Sequence, residues 1–574
     1  MRSKRQLFGI FLAAAVIIAT YCGWKLFLFT TDDAYIAFRY VSNSMAGHGL
    51  TWNAPPFRPV EGYSSFLWVM LLREVWHLFG VEPPDAANYI SLLFGYATLF
   101  LGYRFIARMK LPEPLAPARW ISNRTFLTWL SSGLETSFFN FLFTWWIYEG
   151  TAPAERRKGL WGVRLSLAAT LTALARPDGM LPVLATPLIL CAASAGPILS
   201  ATGIGARLRQ VLLGLRGAWP LLGIPVHMLW RRLTYGDWLP NTYYAKHVEP
   251  WPESGARYLA SFVVEYGVAI WILLALAVLV VAAPAWRASA KHWATEPADE
   301  KRDALRLLIE RSPPVITIGV VVAHFGYYTF NIGGDHFEYR VYSHLVLLLF
   351  VSAVWLLGQL ASYLPSARPL RPRMAFGVLL LFIACAQPIP WTHWAKTHNL
   401  EDRQETFRLT ERVAPSFPMP IRPLVAQWDR WQEWLIAHSV CMRHQEHKVF
   451  GISQRNLLPA RGKAMLRSQS LGEPVIAFGL VGVLGWVLPD VAVIDTLGLN
   501  DHVVARNKEL RRARDVHAEH GRQMAHDRKP PPGYVECFRP NFGLSLRTGI
   551  GAEPRTQPLT EEDIIACEDR FWNP

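Results

Sequence analysis

The sequence predicts a mainly α-helical, multi-pass membrane protein that carries a C-terminal α/β domain. The chain of 574 residues is 51% hydrophobic and only 18% charged, whereas soluble domains carry about 25% charged residues. Apolar runs recur from residue 7 to residue 388, and basic loops separate them. The runs then give way to more polar sequence. This predicts a membrane domain at 1–388 and a soluble domain at 389–574.

The first apolar run, residues 7–29, follows Met1-Arg-Ser-Lys-Arg. It is longer than the ~7–15 residues of a signal-peptide core and lacks a clean small-residue cleavage site, so we expect a retained anchor. Positive charge holds such an N-terminus in the cytoplasm. The net charge is +14, and the basic residues lie in the loops between the apolar runs, as residues that determine membrane topology do. This distribution argues against a nucleic-acid partner.

The apolar runs predict about eleven spans, several of them shorter than the ~20 residues of a simple crossing. The predicted spans are 7–29, 89–107, 120–132, 136–148, 163–175, 181–195, 211–229, 258–281, 315–330, 342–360 and 375–388. Phe66–Phe79 is also apolar, but the basic loops share one side of the membrane only if it does not cross. We therefore expect an interfacial helix there, in a large outer loop at 30–88 that holds two surface helices.

Under this topology, every short acidic motif of the membrane half faces outward. The carboxylates belong to Asp32, Asp33, Glu61, Glu135, Asp178, Asp237 and Asp335. Ionisable groups at the edge of the hydrocarbon are costly and are usually kept for function. The sequence therefore predicts a site at the outer membrane surface.

A set of motifs follows in order from about residue 30 to about residue 505. They are Thr31-Asp-Asp-Ala-Tyr-Ile-Ala-Phe-Arg-Tyr, Gly47-His-Gly-Leu-Thr-Trp-Asn, Val60-Glu-Gly-Tyr-Ser-Ser-Phe-Leu-Trp, Ser132-Gly-Leu-Glu-Thr, Arg176-Pro-Asp-Gly, Gly236-Asp-Trp-Leu-Pro-Asn-Thr-Tyr-Tyr-Ala-Lys and Val493-Ile-Asp-Thr-Leu-Gly-Leu-Asn-Asp. In these motifs the chain resembles bacterial glycosyltransferases of the C-type fold (GT-C), in particular the AftB group of terminal arabinofuranosyltransferases. The resemblance implies an inverting transfer of a sugar, such as arabinofuranose, from a polyprenyl-phosphate donor to a cell-envelope glycan or other acceptor. It also implies a periplasmic active site in the bacterial inner membrane.

Asp32 and Asp33 are the predicted catalytic residues. Sugar transfer from a lipid phosphate requires a base that deprotonates the acceptor hydroxyl. Adjacent residues do not share a helix face, so we expect one aspartate to be the base and the other to orient a donor hydroxyl, a basic residue or a metal. The sequence does not decide which is which. The structural alternative is that both cap the helix that begins at Ala34.

Phosphate needs cationic partners. The outer-face candidates are Arg39, Arg176, Lys246, His247 and Arg340. For each, the alternative is a charge that snorkels to the interface without touching a ligand.

The other predicted donor- or acceptor-binding residues are polar groups of the same loops. They are Glu61, Tyr63, Glu135, Asp178, Asp237, Asn241, Asp335 and His336. Glu135 could instead cap a span, and Asp178 could hold a turn. Asp335 and His336 could bind a divalent metal together with Asp33, although one Asp-His pair is weak evidence. The sequence indicates no other cofactor.

The tail, residues 389–574, is predicted to be a small α/β domain above the membrane half. Residues 427–436 have a helical pattern, while the glycine-containing stretch from Val475 and the β-branched run at 491–494 favour buried strands over a twelfth span. One disulfide among Cys441, Cys537 and Cys567 would form in an oxidising compartment. The residues after Gly549 are expected to be loosely ordered.

Two functions of another class stay open. A transporter or flippase would place charged residues at the bilayer midplane, with broken helices and internal repeats. The sequence shows no repeat, and its acids lie in loops on one face. A non-catalytic factor for assembly of envelope glycans is also compatible with the sequence.

Overall fold

The computed structural model describes residues 2–108, 123–246, 249–363, 371–407, 412–462, 471–509, 522–524, 528–545, 549–552 and 555–572. In the membrane half the α-helices are Arg2–Leu26, Asp32–Met45, Phe66–Phe79, Pro83–Arg108, Arg124–Thr128, Thr136–Gly150, Trp161–Ala175, Met180–Ala193, Ala195–Ser200, Ile204–Gly214, Gly223–Tyr235, Asn241–Lys246, Pro252–Glu265, Val268–Thr295, Ala298–Glu310, Pro313–Gly326, Ser343–Tyr363 and Arg371–Ala386. Short 3₁₀ or π segments are Ala154–Arg156, Pro177–Gly179, Leu215–Leu222, Tyr327–Ile332 and Arg340–Tyr342.

The tail continues with further helices and one small sheet. Its α-helices are Pro388–Thr397, Arg403–Phe407, Arg422–Ala437, His444–Leu457, Gly482–Val487, His502–Arg506, Tyr534–Cys537 and Glu561–Phe571, with a 3₁₀ turn at Ala414–Ser416. The strands are β1 (Val475–Phe478), β2 (Ala492–Asp495), β3 (Phe542–Ser545) and β4 (Gly549–Ala552). The predicted fold class, a mainly α-helical membrane protein with a C-terminal α/β part, is confirmed.

Six helical segments of the described chain are long and apolar enough to cross a membrane, by length and composition. They are Gly9–Leu26, Pro83–Arg108, Ile204–Tyr235, Val268–Thr295, Pro313–Ile332 and Arg340–Tyr363. Trp161–Ala175 and Pro177–Ala193 are apolar but shorter. All eight overlap predicted spans. The total of eleven stays a prediction.

Two predicted spans differ from the structure. The run 258–281 is broken at Gly267, whose φ of +60° ends the helix Pro252–Glu265 and lets the long apolar helix start at Val268. In the run 120–132, residues 120–122 lie outside the described residues, and the remainder holds only the five-residue helix Arg124–Thr128. That helix is about 8 Å long and is too short to span a bilayer.

The predicted surface helices of the 30–88 loop are confirmed as helices. Phe66–Phe79 has the predicted bounds and ends at Gly80, which takes the left-handed conformation that stops a helix. Asp32–Met45, the juxtamembrane helix, starts directly after the first span. A backbone bridge from Thr30 to Ser132 fixes its start against the Ser132-Gly-Leu-Glu-Thr motif.

The tail sheet has the strand order β2-β1-β3-β4, with β1 parallel to β2 and β3, and β4 antiparallel to β3. In its register, Val475 pairs with Ala492 and Phe478 with Asp495. The predicted strands at these positions are therefore confirmed. Parallel strands open ligand sites at their carboxyl ends, and here those ends face the membrane half.

The juxtamembrane helix shares one hydrophobic core with the tail. Its buried residues Ala34 and Phe38 belong to the same cluster as Ile476, Leu484 and Val493. The tail is also closed on itself by a Cys537–Cys567 disulfide. The expectation of loose order after Gly549 is wrong, because that part forms β4 and a helix capped by Thr560 and Asp563.

Candidate active site

A cavity of about 2440 Å³ lies between the membrane half and the tail. Of the predicted site residues, those that line it are Asp32, Asp33, Tyr63, Glu135, Arg176, Asp178, Lys246, Asp335, His336 and Arg340. From the tail, Phe478 and Gly479 follow β1, and Thr496 and Leu497 follow β2. The structure thus brings most of the outer-face motifs to one space.

Asp32 is bound to the tail. Its carboxylate accepts the backbone N–H of Val483 at 2.8 Å and that of Gly482 at 3.2 Å, and its side chain is 6% exposed. These contacts join the start of the juxtamembrane helix to the start of the helix Gly482–Val487. A Cβ at position 482 would lie 1.9 Å from the Asp32 carbonyl oxygen, so this approach needs glycine. Asp32 therefore positions the helix on which Asp33 lies.

Asp33 differs from its neighbour. It is half-buried and lines the cavity. Among the hydrogen bonds and ion pairs of the described residues, none engages its carboxylate. Its oxygens are therefore available to a ligand. The structure thus separates the two aspartates, which the sequence left equivalent.

The burial of Asp32 also predicts an effect of pH on the stability of the protein. Burial raises the pKa of Asp32 from 3.8 to about 6, with the N–H of Val483 acting against this and the charge of Asp33 adding to it. The folded state then binds the proton more tightly than the unfolded state. Stability therefore falls by roughly 3 kcal/mol as pH rises from about 4 to about 6, and this contribution is constant above that.

Asp32→Asn is expected to remove that component. Thermal unfolding of the purified protein in detergent at pH 4.5 and pH 7.5 measures it, and the variant should lose less stability between the two pH values than the wild type. The same pH dependence in both proteins would contradict a raised pKa of Asp32.

Arg176 forms the centre of a charged cluster at the cavity wall. Its guanidinium lies 2.9 Å from Asp178 and 3.7 Å from Glu135, and it donates to the hydroxyl of Tyr328 at 3.2 Å. Tyr328 in turn donates to Asp178 at 2.7 Å. Arg176 follows the helix Trp161–Ala175 and Asp178 precedes the helix Met180–Ala193, so the Arg-Pro-Asp-Gly turn places both groups at the cavity wall. The cluster carries one more negative than positive charge.

A second ion pair lies on the opposite loop. Asp335 accepts from Arg340 at 2.8 Å, and the Arg340 guanidinium stacks over Phe337 at 4.3 Å. The Nδ1 atom of His336 lies 2.8 Å from the carbonyl of Ser439 in the tail. Among the described residues, no group of three or more histidine, cysteine or acidic side chains is arranged to hold a metal ion.

Lys246 is the cavity cation with the greatest freedom. It is exposed at the end of the helix Asn241–Lys246, and no ion pair among the described residues includes it. The other lysine and arginine side chains of the lining each pair with a carboxylate: Arg176 with Asp178, Arg340 with Asp335, and Arg403 with Glu446. His247 lies outside the described residues.

Arg39 was predicted to bind phosphate, and this is wrong. The side chain is 1% exposed and donates to the carbonyls of Trp52, Gly485 and Val491 at 2.6–2.7 Å. It also donates to the carbonyl of Leu488 at 3.1 Å. The guanidinium is therefore saturated by the backbone and fastens the juxtamembrane helix to the tail.

Three further predicted binding residues also lie outside the cavity lining of the described chain. Glu61 is buried and accepts from Arg231, with Nε and Oε2 2.5 Å apart. Burial raises the pKa of Glu61 to about 7, although Arg231 lowers it. Asp237 accepts from Arg506 at 2.8 Å, and Asn241 donates to the carbonyls of Gly498 and Leu499. The Glu61 contact joins the 30–88 loop to the helix Gly223–Tyr235, and the contacts of Asp237 and Asn241 join the membrane half to the tail. A structural role therefore explains the polar residues at these three positions.

Tyr63 lines the cavity, and its hydroxyl lies 3.2 Å from that of Tyr235. The sequence did not indicate the polar helix residues that the tail adds to the lining, which include Arg403, Glu446, His447 and Gln454. No motif marks them. The recurrence of polar residues at 447 and 454, two helical turns apart, is the signal that could have identified one face of a helix.

The chain is similar to a curated protein sequence and, more distantly, to two solved structures. No protein-family model matches the chain. Over 365 residues the chain is 28% identical to the terminal β-(1→2)-arabinofuranosyltransferase of Corynebacterium glutamicum, and the match covers 60% of this chain and 50% of the relative. The chain thus spans about half the length of this curated relative.

The solved structures are more distant. The oligosaccharyltransferase of Archaeoglobus fulgidus, tethered to an acceptor peptide, aligns with 84% of this chain and 64% of its own, at 12% identity and a TM-score of 0.39. ArnT from Cupriavidus metallidurans, bound to undecaprenyl phosphate, aligns with 84% of this chain and 85% of its own, at 12% identity and a TM-score of 0.35. Both likenesses are too distant to carry a functional inference.

Proposed function

We propose that the protein is an inverting glycosyltransferase that moves a sugar from a polyprenyl-phosphate donor to a cell-envelope glycan at the periplasmic face of the bacterial inner membrane. The observation that carries the proposal is Asp33, an available carboxylate after the first span, in a cavity whose lining includes Lys246 and Arg340. The similarity to an arabinofuranosyltransferase supports a pentofuranose, such as arabinofuranose, as the sugar.

Asp33 is the proposed general base. The acceptor hydroxyl attacks the anomeric carbon of the donor, and its proton passes to the Asp33 carboxylate. The new bond joins the acceptor oxygen to the anomeric carbon, while the bond from that carbon to the phosphate oxygen breaks. Its electron pair leaves with the phosphate as polyprenyl phosphate. One displacement inverts the anomeric centre and needs one base, which agrees with the different surroundings of the two aspartates.

The leaving phosphate gains negative charge as the bond breaks, so cations near it lower the barrier. Lys246 is the proposed direct contact, because its ammonium group has no carboxylate partner in the described part of the chain. Arg176 and Arg340 already pair with acids, and they contribute mainly to the potential of the wall. Since the Arg176 cluster is net negative, we place the phosphate on the Lys246 side.

Lys246→Met is expected to lower kcat/KM for the donor by about tenfold or more, because a hydrogen bond to a charged group contributes about 1.5–3 kcal/mol. The acceptor KM should stay unchanged. Steady-state kinetics with each substrate varied in turn measures both effects. Lys448→Met is the matched control, since Lys448 is half-buried and lies outside the described cavity lining. Equal effects of the two substitutions would contradict the phosphate contact.

The orientation rests on two supports. Basic loops place the N-terminus in the cytoplasm, and the Cys537–Cys567 disulfide is a bond that persists in oxidising compartments such as the periplasm. Both agree with a tail and a cavity outside the cytoplasm.

The activity is tested with purified protein in lipid nanodiscs. A radiolabelled polyprenyl-phosphoryl arabinofuranose and a matched hexose donor are supplied with an arabinan oligosaccharide, and the glycan is separated from lipid by extraction. We expect label in the glycan fraction from the pentose donor. If neither donor labels any glycan, while labelled lipid crosses the bilayer of a proteoliposome, the protein is a flippase and the proposal is wrong.

A further inference from the structure

One helix of the tail contributes two cavity-lining side chains that each carry a buried polar atom without a partner in the described part of the chain. In His444–Leu457, both His447 and Gln454 line the cavity and are 4% and 2% exposed. Among the described residues, the Nε2 atom of His447 and the Oε1 atom of Gln454 find no hydrogen-bond partner. Burying a polar atom without a partner costs about 1–3 kcal/mol, so two such atoms on one wall indicate a ligand that supplies the partners.

The two atoms lie in one row. Positions 447, 451 and 454 differ by four and three residues, so they share a helix face. Between the two polar side chains, Gly451 meets the loop that carries the acids, since a Cβ there would lie 2.7 Å from the carbonyl oxygen of Thr30. The row therefore passes directly beside the Thr30–Asp33 corner.

The same face of this helix is fixed to the first span. His444 places Nε2 3.1 Å from the carbonyl of Phe27, and its ring packs edge-on to Phe29. The row is thus held in a constant position relative to Asp33. A rigid first contact is what a transfer site needs to align an attacking hydroxyl.

The chemistry of the row suits hydroxyl groups. Burial and the nearby His336 keep the pKa of His447 well below its usual value, so its ring is neutral and offers one donor and one acceptor nitrogen. The Gln454 oxygen accepts. Neither group carries charge, which makes the row unlike the cationic wall at Lys246 and a poor match for phosphate.

We infer that the helix His444–Leu457 forms the acceptor subsite, where His447 Nε2 and Gln454 Oε1 bind hydroxyl groups of a glycan with at least two linked sugar units. The two residues are about 10 Å apart along the helix axis, which is longer than one sugar ring. The inference rests on the proposed glycosyl transfer and specifies its acceptor as a carbohydrate chain.

The test measures binding without donor, so that it does not depend on catalysis. The probes are an arabinofuranose monosaccharide and disaccharide, a mannose disaccharide, and undecaprenyl phosphate, each titrated into the full-length protein in nanodiscs by calorimetry. We expect a disaccharide of arabinofuranose to bind more tightly than the monosaccharide. His447→Phe and Gln454→Leu should each weaken it about 5- to 10-fold, as loss of one hydrogen bond does, and leave undecaprenyl phosphate unchanged.

Two variants guard against a misfolded protein. His447→Gln keeps a polar group near the Nε2 position and should bind the disaccharide within about threefold of the wild type, so it tests the role of the nitrogen even if His447→Phe fails to fold. Gln445→Leu is the matched control in the same helix, because Gln445 donates to the carbonyl of Leu400 and lies outside the described cavity lining. It should not alter sugar affinity.

Three results would overturn the inference: no disaccharide binding by the wild type, sugar affinity unchanged in both His447→Phe and Gln454→Leu, or loss of undecaprenyl phosphate binding alone. The transfer assay, run on the wild type and on the same variants with Asp33 intact, separates this inference from the proposed function. Transfer that proceeds with unaltered sugar affinity in the variants sinks the subsite alone. Sugar binding that depends on both side chains in a protein without transfer activity supports the subsite and sinks the proposed function.

Discussion

Asp33→Asn is expected to lower kcat for sugar transfer by about 10³-fold, within the range that a positioned general base contributes. The amide cannot take the acceptor proton, and the carboxylate has no structural partner in the described residues whose loss would unfold the helix. Binding of donor and acceptor should change little. Single-turnover transfer with labelled donor, together with a thermal unfolding curve, measures both parts of the expectation.

Asp85→Asn is the control for the helix position. Asp85 also lies in the first turn of a helix that follows a loop, but it is exposed and outside the described cavity lining. Its replacement should leave transfer intact. If Asp33→Asn transferred sugar at the wild-type rate while Asp32→Asn, equally well folded, did not, the roles of the two aspartates would be reversed.

Arg39→Met should destabilise the protein by about 4 kcal/mol or more, which is exceptional for one substitution. The side chain is fully buried, and its guanidinium satisfies the carbonyls of Trp52, Gly485, Leu488 and Val491. Methionine fills most of the volume but takes the donor from the carbonyls of Gly485 and Val491, at about 1–3 kcal/mol each. The carbonyl of Trp52 keeps a donor from Asn43, and that of Leu488 keeps the N–H of Val491. Thermal unfolding and limited proteolysis in detergent should show an early release of the tail.

Arg461→Met provides the comparison. Arg461 also joins the tail to the juxtamembrane helix, by a hydrogen bond to Ser42 at 2.7 Å. Within the tail, its guanidinium stacks over Trp486 at 3.7 Å. It is half-buried and leaves one acceptor unpaired when removed, so we expect a loss of about 1–2 kcal/mol. Equal losses of stability in the two variants would contradict the expectation that the buried contacts of Arg39 stabilise the protein more than those of Arg461.

Local pattern was enough for much of the fold. Phe66–Phe79 was predicted with its bounds because its apolar run begins and ends within the segment, and Gly80 stops the helix where that run ends. The strands at Val475 and Ala492 followed from β-branched runs between glycines and turns. By contrast, the break at Gly267 could not be separated from an ordinary glycine in an apolar helix, since its positive φ depends on how the flanking helices pack.

The site was predicted as a face and not as a set of roles. Topology identified the seven outward acids. Their roles depend on their partners in the fold, and among the described residues six of the seven acids have one. Glu61 pairs with Arg231, 170 positions away, and Arg39 meets Gly485, 446 positions away. The sequence shows that a polar side chain lies near the membrane. Only the three-dimensional structure shows whether another group of the protein already pairs with it. His447 was missed because a polar residue in a soluble helix is unremarkable.

The contacts of Asp32 and Arg39 with residues 482–491 have a consequence for biosynthesis. A ribosome adds about 5–20 residues per second, so the first span and its aspartates enter the membrane roughly half a minute before the segment that fixes them is made. Until then the catalytic helix has no partner for Asp32 or Arg39. Under the proposed function, the nascent protein is therefore inactive, and sugar transfer becomes possible only when nearly the whole chain has been translated.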